Sequence, residues 1–239
     1  MRPIQPIVKT GEPVRRIEIP GAVHHTAVSP DGRFAVATQP AANGISIINL
    51  EDLTFVAFLP TGAMPNYAVF SNDSKRVYVT NTGNGTISEV DVAKGFVIRN
   101  FLAGKGPEHI ARSADGNSLY VADAEAGNVL ELSSSTGKIT RSFAIGGELH
   151  GIGLSDDGKV LFVSDKGEDK LASVDLGSGK IRTVMFGPSP YHLAVIPGTE
   201  TMFVSSSAEP VVWIVDIRNL AVRTKINVKG DGHQMVVLP

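Results

Sequence analysis

The sequence predicts an all-β fold in which one four-stranded unit is copied several times, and three observations carry that expectation. The first is a fixed period: every forty-second residue from Ser29 reads Ser29, Ser71, Ser113 and Ser155, and two places further on the series is Asp31, Asp73, Asp115 and Asp157. A period in the forties marks a copied supersecondary unit that cannot bury its apolar face alone. The second is that each period holds short β-branched runs separated by Gly, Asn and Asp turns, the pattern of antiparallel meanders rather than helices. The third is turn chemistry: Ser29-Pro30-Asp31-Gly32, Ala114-Asp115-Gly116 and Asp156-Asp157-Gly158 supply hairpin turns, and Thr136-Gly137-Lys138 and Ser178-Gly179-Lys180 supply later ones.

The second unit shows the elements in order. A strand over residues 67–70 meets the turn Ser71-Asn72-Asp73-Ser74, and a second strand follows over 76–80. Asn81 to Gly85 turn the chain into a third strand, 86–92, and Ala93-Lys94-Gly95 turn it into a fourth, 96–102. Units of this length arranged radially describe a β-propeller whose sheets are blades around a central channel. Five complete blades are expected, at about 24–65, 66–107, 108–149, 150–191 and 192–232, within one domain spanning 1–239. A terminal strand at 14–19 matches an outermost strand and one at 235–238 an innermost strand. Together they make a partial sixth blade, with residues 4–9 between them, or else a partner chain or a missing segment completes the ring. The fifth unit is degenerate, with Ile196-Pro197-Gly198-Thr199 in place of the Asp-Gly turn.

Bulk composition narrows the functional classes. The 239 residues are 42% hydrophobic and carry a net charge of −2, with a pI near 6.3. No basic cluster exceeds pairs such as Arg15-Arg16, which argues against a nucleic-acid surface. No apolar run approaches the ~18 residues of a membrane span. The absence of cysteine excludes disulfide and thiolate chemistry. Residues 1–6 show no signal-peptide pattern. None of the P-loop, dinucleotide-binding, H-E-x-x-H or G-x-S-x-G motifs occurs.

Ala27-Val28-Ser29-Pro30-Asp31-Gly32, Val77-Tyr78-Val79-Thr80-Asn81, Leu119-Tyr120-Val121-Ala122-Asp123 and Leu161-Phe162-Val163-Ser164-Asp165 resemble the YVTN family of propeller repeats over nearly the whole chain. The resemblance implies the fold and a periplasmic or extracellular location. It leaves function open, since cytochrome d1-like, lactonase-like and surface-layer proteins share such repeats.

All six histidines, His24, His25, His109, His150, His192 and His233, precede innermost strands, whose lead-in segments converge on the channel mouth. Stepping by forty-two from His24 gives Asn66, Glu108, His150, His192 and Gln234, a polar column throughout. Alternation of side chains along extended backbone predicts that His24, His150 and His192 converge as metal ligands. Glu108, Asn66 and Gln234 then complete a ligand-binding ring, while His25, His109 and His233 face sideways or outward. Three imidazoles suit zinc, copper, nickel or iron, so a transition metal or haem is the cofactor such a set would hold; the alternative is a generic polar lining. Arg112 interrupts an otherwise apolar column and needs a partner, with Glu108 the candidate for an inter-blade salt bridge, or else it is a channel-lining anion contact. Asp123, Glu125, Asp165, Glu168 and Asp169 make one rim acidic, and such residues usually serve their own turns. Trp213 reads as blade packing.

Three functions follow as expectations. The first is a non-enzymatic propeller that binds a small ligand or protein partner at its channel mouth. The second is a metal- or haem-associated redox or cofactor-handling protein with the histidines as ligands. The third is a lactonase-like metal-dependent hydrolase. No catalytic residue is assigned.

Overall fold

The computed structural model describes residues 15–230 together with 233, 235 and 237. Among the described residues, twenty strands form five four-stranded antiparallel sheets, each a simple meander in chain order. The first sheet holds β1 (Thr26–Val28), β2 (Phe34–Gln39), β3 (Gly44–Asn49) and β4 (Thr54–Pro60). The second holds β5 (Pro65–Phe70), β6 (Arg76–Asn81), β7 (Thr86–Asp91) and β8 (Phe96–Leu102). The third comprises β9 (Pro107–Arg112), β10 (Ser118–Asp123), β11 (Asn128–Ser133) and β12 (Ile139–Ala144). The fourth comprises β13 (Leu149–Leu154), β14 (Val160–Asp165), β15 (Lys170–Asp175) and β16 (Ile181–Met185), and the fifth β17 (Pro190–Ile196), β18 (Thr201–Ser206), β19 (Val211–Asp216) and β20 (Ala221–Asn227). This is a set of propeller blades, as the repeat predicts.

The second strand of each blade is buried on both faces, and its two-residue alternation divides the core. From β6, Val77 and Val79 pack toward the first blade with Val36, Ile45 and Ile47, while Tyr78 packs toward the third with Leu119 and Val121. Leu161 and Val163 of β14 join the cluster with the third blade, and Phe162 joins the one with the fifth. The hydrophobic core is therefore a series of inter-blade layers, and no blade is stable by itself. Trp213 lies in the last of these layers, edge-on to Phe186 at 5.0 Å.

The Ser-x-Asp columns have a local cause. Ser29 Oγ donates to Asp31 Oδ1 at 2.7 Å, while the N–H of Arg33 bonds the same carboxylate and that of Phe34 bonds Ser29 Oγ. Ser71–Asp73, Ser113–Asp115 and Ser155–Asp157 repeat the arrangement. The serine hydroxyl bond holds each of these aspartates below its usual pKa. Gly32, Gly116 and Gly158 take the left-handed conformation that closes the turn (φ 70°, 77° and 67°).

Two devices tie blade to blade. Near the axis, a hydroxyl on each second strand except the third blade's bonds a carbonyl of the segment that follows its blade: Thr38 to Asn66 (2.8 Å), Thr80 to Glu108 (2.5 Å), Ser164 to Tyr191, and Ser205 to His233 (3.3 Å). The third blade has Ala122 at that position. At the outside, Arg99 reaches the carbonyl of Ser134 (2.8 Å), Arg141 that of Leu176 and Arg182 that of Asn219 (3.0 Å).

No sixth sheet occurs among the described residues. Residues 15–19 form no strand there; Ile17 and Ile19 pack on the outer face of the first blade against Ala35, Ala37 and Ile48. Arg15 donates to the carbonyl of Asp52 at 3.3 Å, the contact the other outer arginines make with the blade that follows them. The expected strand at 235–238 and the segment 4–9 fall wholly or partly outside the described residues.

Candidate metal centre

The lead-in to the innermost strand is where the five blades meet, and in four of them it carries a bulge. Between Pro65 and Ala68, Pro107 and Ile110, Leu149 and Ile152, and Pro190 and Leu193, the inner strand has one residue more than its partner. The extra residue breaks strict alternation, so two successive residues of each bulged lead-in face the axis region.

The bulges also correct the register expected from the sequence. Pro190 pairs with Ser206 as Leu149 pairs with Asp165, so the fifth blade follows the fourth by forty-one residues instead of forty-two. The same backbone-to-hydroxyl bond links His25 to Thr38, Tyr67 to Thr80, Gly151 to Ser164 and His192 to Ser205. The mouth tier is therefore His24, Asn66, Glu108, His150, Tyr191 and His233. The tier beneath it is His25, Tyr67, His109, Gly151 and His192.

This geometry brings together a different set of histidines from the expected one. His109, His150 and His192 place a ring nitrogen each within 4.8 Å of the others. Their centroids lie 4.4 Å (His109–His150), 4.5 Å (His109–His192) and 5.0 Å (His150–His192) apart. His109, expected to face sideways or outward, is turned inward by the bulge and is 3% exposed; His150 and His192 are 3% and 5% exposed. His24 stays outside the cluster at the exposed mouth, with Nε2 3.1 Å from Asn66 Oδ1 and its ring edge-on to His233 at 5.9 Å.

Gly151 explains how a mouth-tier residue joins the lower tier. A Cβ there would sit 2.4 Å from the carbonyl oxygen of Tyr191 and 3.0 Å from Ser164 Oγ. Blade four thus supplies no side chain below, and the His150 ring reaches the rings of His109 and His192. Tyr191 stacks on its other face at 3.7 Å and 9°. Tyr67 is sandwiched between His25 (3.5 Å) and His109 (4.0 Å).

The cluster is buried, and burial favours its neutral state. Burial lowers the His25 pKa to about 3, that of His192 to about 2 and that of His109 well below its ordinary value; neighbouring histidines push each the same way. Burial lowers His150 too, against the opposing pull of Glu108. Nε2 of His150 and Nε2 of His192 are buried with no hydrogen-bond partner among the described residues. A buried imidazole nitrogen without a partner is costly unless something else occupies its lone pair or takes its proton.

Of the residues expected to bind ligand, Glu108 touches the cluster, with Oε2 2.5 Å from His150 Nδ1. Asn66 is held by His24, and Gln234 lies outside the described residues. Arg112 neither pairs with Glu108 nor lines the channel mouth. It sits at the other end of β9, where it donates to the carbonyls of Phe70 (2.7 Å) and Ser113 (3.2 Å), an inter-blade tie through backbone. On the rim, Asp123 accepts from the N–H groups of Lys105 and Gly106, and Asp165 from those of Glu148, Gly167 and Glu168, so both serve turns. A cavity of about 460 Å³ borders Glu108, Glu125 and Glu148.

No known sequence family matches the chain, and no curated protein does. Among solved structures it is similar to Kuenenia stuttgartiensis hydrazine synthase, with a TM-score of 0.74 and 19% identity over 87% of this chain and 66% of that one. The chain thus spans just under two thirds of the protein it resembles, and likeness at this identity shows the fold alone. Sheets and comparison together define a β-propeller protein.

Proposed function

We propose that this propeller is a non-enzymatic metal-binding protein that holds one transition-metal ion through His109, His150 and His192. The observation that carries the reading is the convergence of three neutral, buried imidazoles with nitrogens within 4.8 Å, where Nε2 of His150 and Nε2 of His192 have no hydrogen-bond partner among the described residues. Zinc bonded to imidazole at ~2.0–2.1 Å needs ligand nitrogens about 3.3 Å apart, a modest closure of this cluster. Imidazole-only donors favour zinc, copper or nickel over magnesium or calcium. The rings contact one another directly, which favours an ion over a haem plane between them. The hydrolase reading loses support because Glu108, the carboxylate that touches the histidine cluster, is engaged with His150.

Calorimetric titration of chelator-treated protein with Zn²⁺ and Cu²⁺ tests the reading. One ion per chain is expected, and a His109→Ala, His192→Ala double variant should abolish the heat of binding. Unchanged binding in that variant refutes the assignment.

The repeat motifs support kinship with YVTN-type propellers and, with it, a periplasmic or extracellular location, which cell fractionation tests. The Arg15–Asp52 and Ser205–His233 contacts support residues 15–19 and His233 as the outer and inner margins of a sixth blade.

A further inference from the structure

The three histidines of the cluster are not equivalent. His109 and His192 come from the lower tier and pack against neighbouring aromatic rings, whereas among the described residues only His150 has a carboxylate on a ring nitrogen. Oε2 of Glu108 lies 2.5 Å from His150 Nδ1, and no other hydrogen bond to the Glu108 side chain occurs among the described residues. An imidazole carries its proton on one nitrogen when neutral, and the partner of one nitrogen decides the state of the other. An ionised carboxylate only accepts hydrogen bonds, so it requires the proton on Nδ1. The lone pair is then left on Nε2, the buried nitrogen that has no partner among the described residues.

The ring is also fixed in angle. Tyr191 covers one face at 3.7 Å, Lys166 lies 5.7 Å from the centre of the Tyr191 ring, and the Lys166 amine pairs with Glu148 at 2.8 Å. Glu108 itself is placed by its backbone: its carbonyl accepts from Thr80 across the blade boundary. The position of the carboxylate is therefore set by the second blade, and that of the imidazole by the fourth and fifth.

We propose that Glu108 is the positioning residue of the metal centre, holding His150 as its Nδ1–H tautomer so that Nε2 presents a lone pair to the ion before the ion arrives. The inference rests on the metal-binding reading above and deepens it. It makes His150 the preorganised ligand, with His109 and His192 closing onto the ion. Loss of such an outer partner lowers metal affinity by about 10–100-fold in other proteins.

The test combines ¹⁵N NMR of the histidine side chains in metal-free protein with Zn²⁺ affinity, for the wild type, Glu108→Gln and Glu108→Leu. The expected result is a wild-type His150 protonated at Nδ1, a mixed or reversed tautomer in Glu108→Leu, and a ten- to hundredfold weaker Zn²⁺ affinity in that variant with partial recovery in Glu108→Gln. The NMR spectrum of each variant also reports whether it is folded. A wild-type His150 protonated at Nε2, or a folded Glu108→Leu variant that binds Zn²⁺ within threefold of wild type, overturns the proposal. If the wild type binds no metal, the metal-binding reading fails, while the tautomer still decides whether Glu108 sets the state of His150.

Discussion

Mild acid should destabilise the metal-free protein far more steeply than carboxylate titration alone would. His25 and His192 have folded-state pKa values lowered to about 3 and about 2, against 6.5 in the unfolded chain. A histidine whose folded pKa is depressed contributes stability that is present above pH 6.5 and lost as pH falls below it, because only the unfolded state then takes up the proton. Between pH 7.5 and pH 5 the linkage relation gives a loss of about 2 kcal/mol for each residue, or about 4 kcal/mol for the pair. His109 and His150 act in the same direction. His24 and His233 around His25, and His150, His233, His25 and His24 around His192, worsen the penalty when protonated; His109 and Tyr191 also lie against His192, and Tyr67 against His25. Against a typical total of 5–15 kcal/mol, such a loss is large. The assay is urea unfolding in chelator, followed by fluorescence of Trp213, which is buried between the fourth and fifth blades. A free energy of unfolding that falls by less than about 1 kcal/mol over this range would refute the buried, neutral cluster.

Three further outcomes follow from the same geometry. Gly151→Ala places a methyl group against the carbonyl of Tyr191, so it should cost about 1–3 kcal/mol by overpacking and weaken metal binding by separating the fourth and fifth blades, as denaturation and titration would show. Ala122→Ser restores the hydroxyl that the third blade lacks and should add about 0.5–1.5 kcal/mol, read as a shift of the urea midpoint at constant slope. Saturating Zn²⁺ at about 100 times its Kd should stabilise by about 2.7 kcal/mol and raise Tm by roughly 5–11 °C in scanning calorimetry.

The blades were legible because their signals are local. Ser-x-Asp turns recur where Ser29, Ser71, Ser113 and Ser155 each bond their own aspartate, and alternation along residues 76–81 reports two buried faces without reference to the rest of the chain. The site was half legible. His150 and His192 were expected together, but His24 was chosen over His109 for two reasons that a uniform ruler hides. A bulge in four of the five lead-in segments suspends alternation, and the fourth blade's repeat is one residue short before Pro190. The proline series held the missing signal: Pro65, Pro107 and Pro190 pair alike with the second strand, and aligning them sets His192 beside His109. Gly151 was invisible as a site residue, because its contribution is the side chain it lacks. Arg112 was read as a charge needing a charge, yet two carbonyl groups satisfy it.

X-ray absorption at the metal edge of the Zn²⁺-loaded protein tests the central claim most directly. A trio of imidazoles predicts a first shell containing three histidine nitrogens at about 2.0–2.1 Å, with the multiple scattering of imidazole rings, and its loss in the His109→Ala, His192→Ala variant. A first shell of oxygen alone, or one unchanged in that variant, would contradict it.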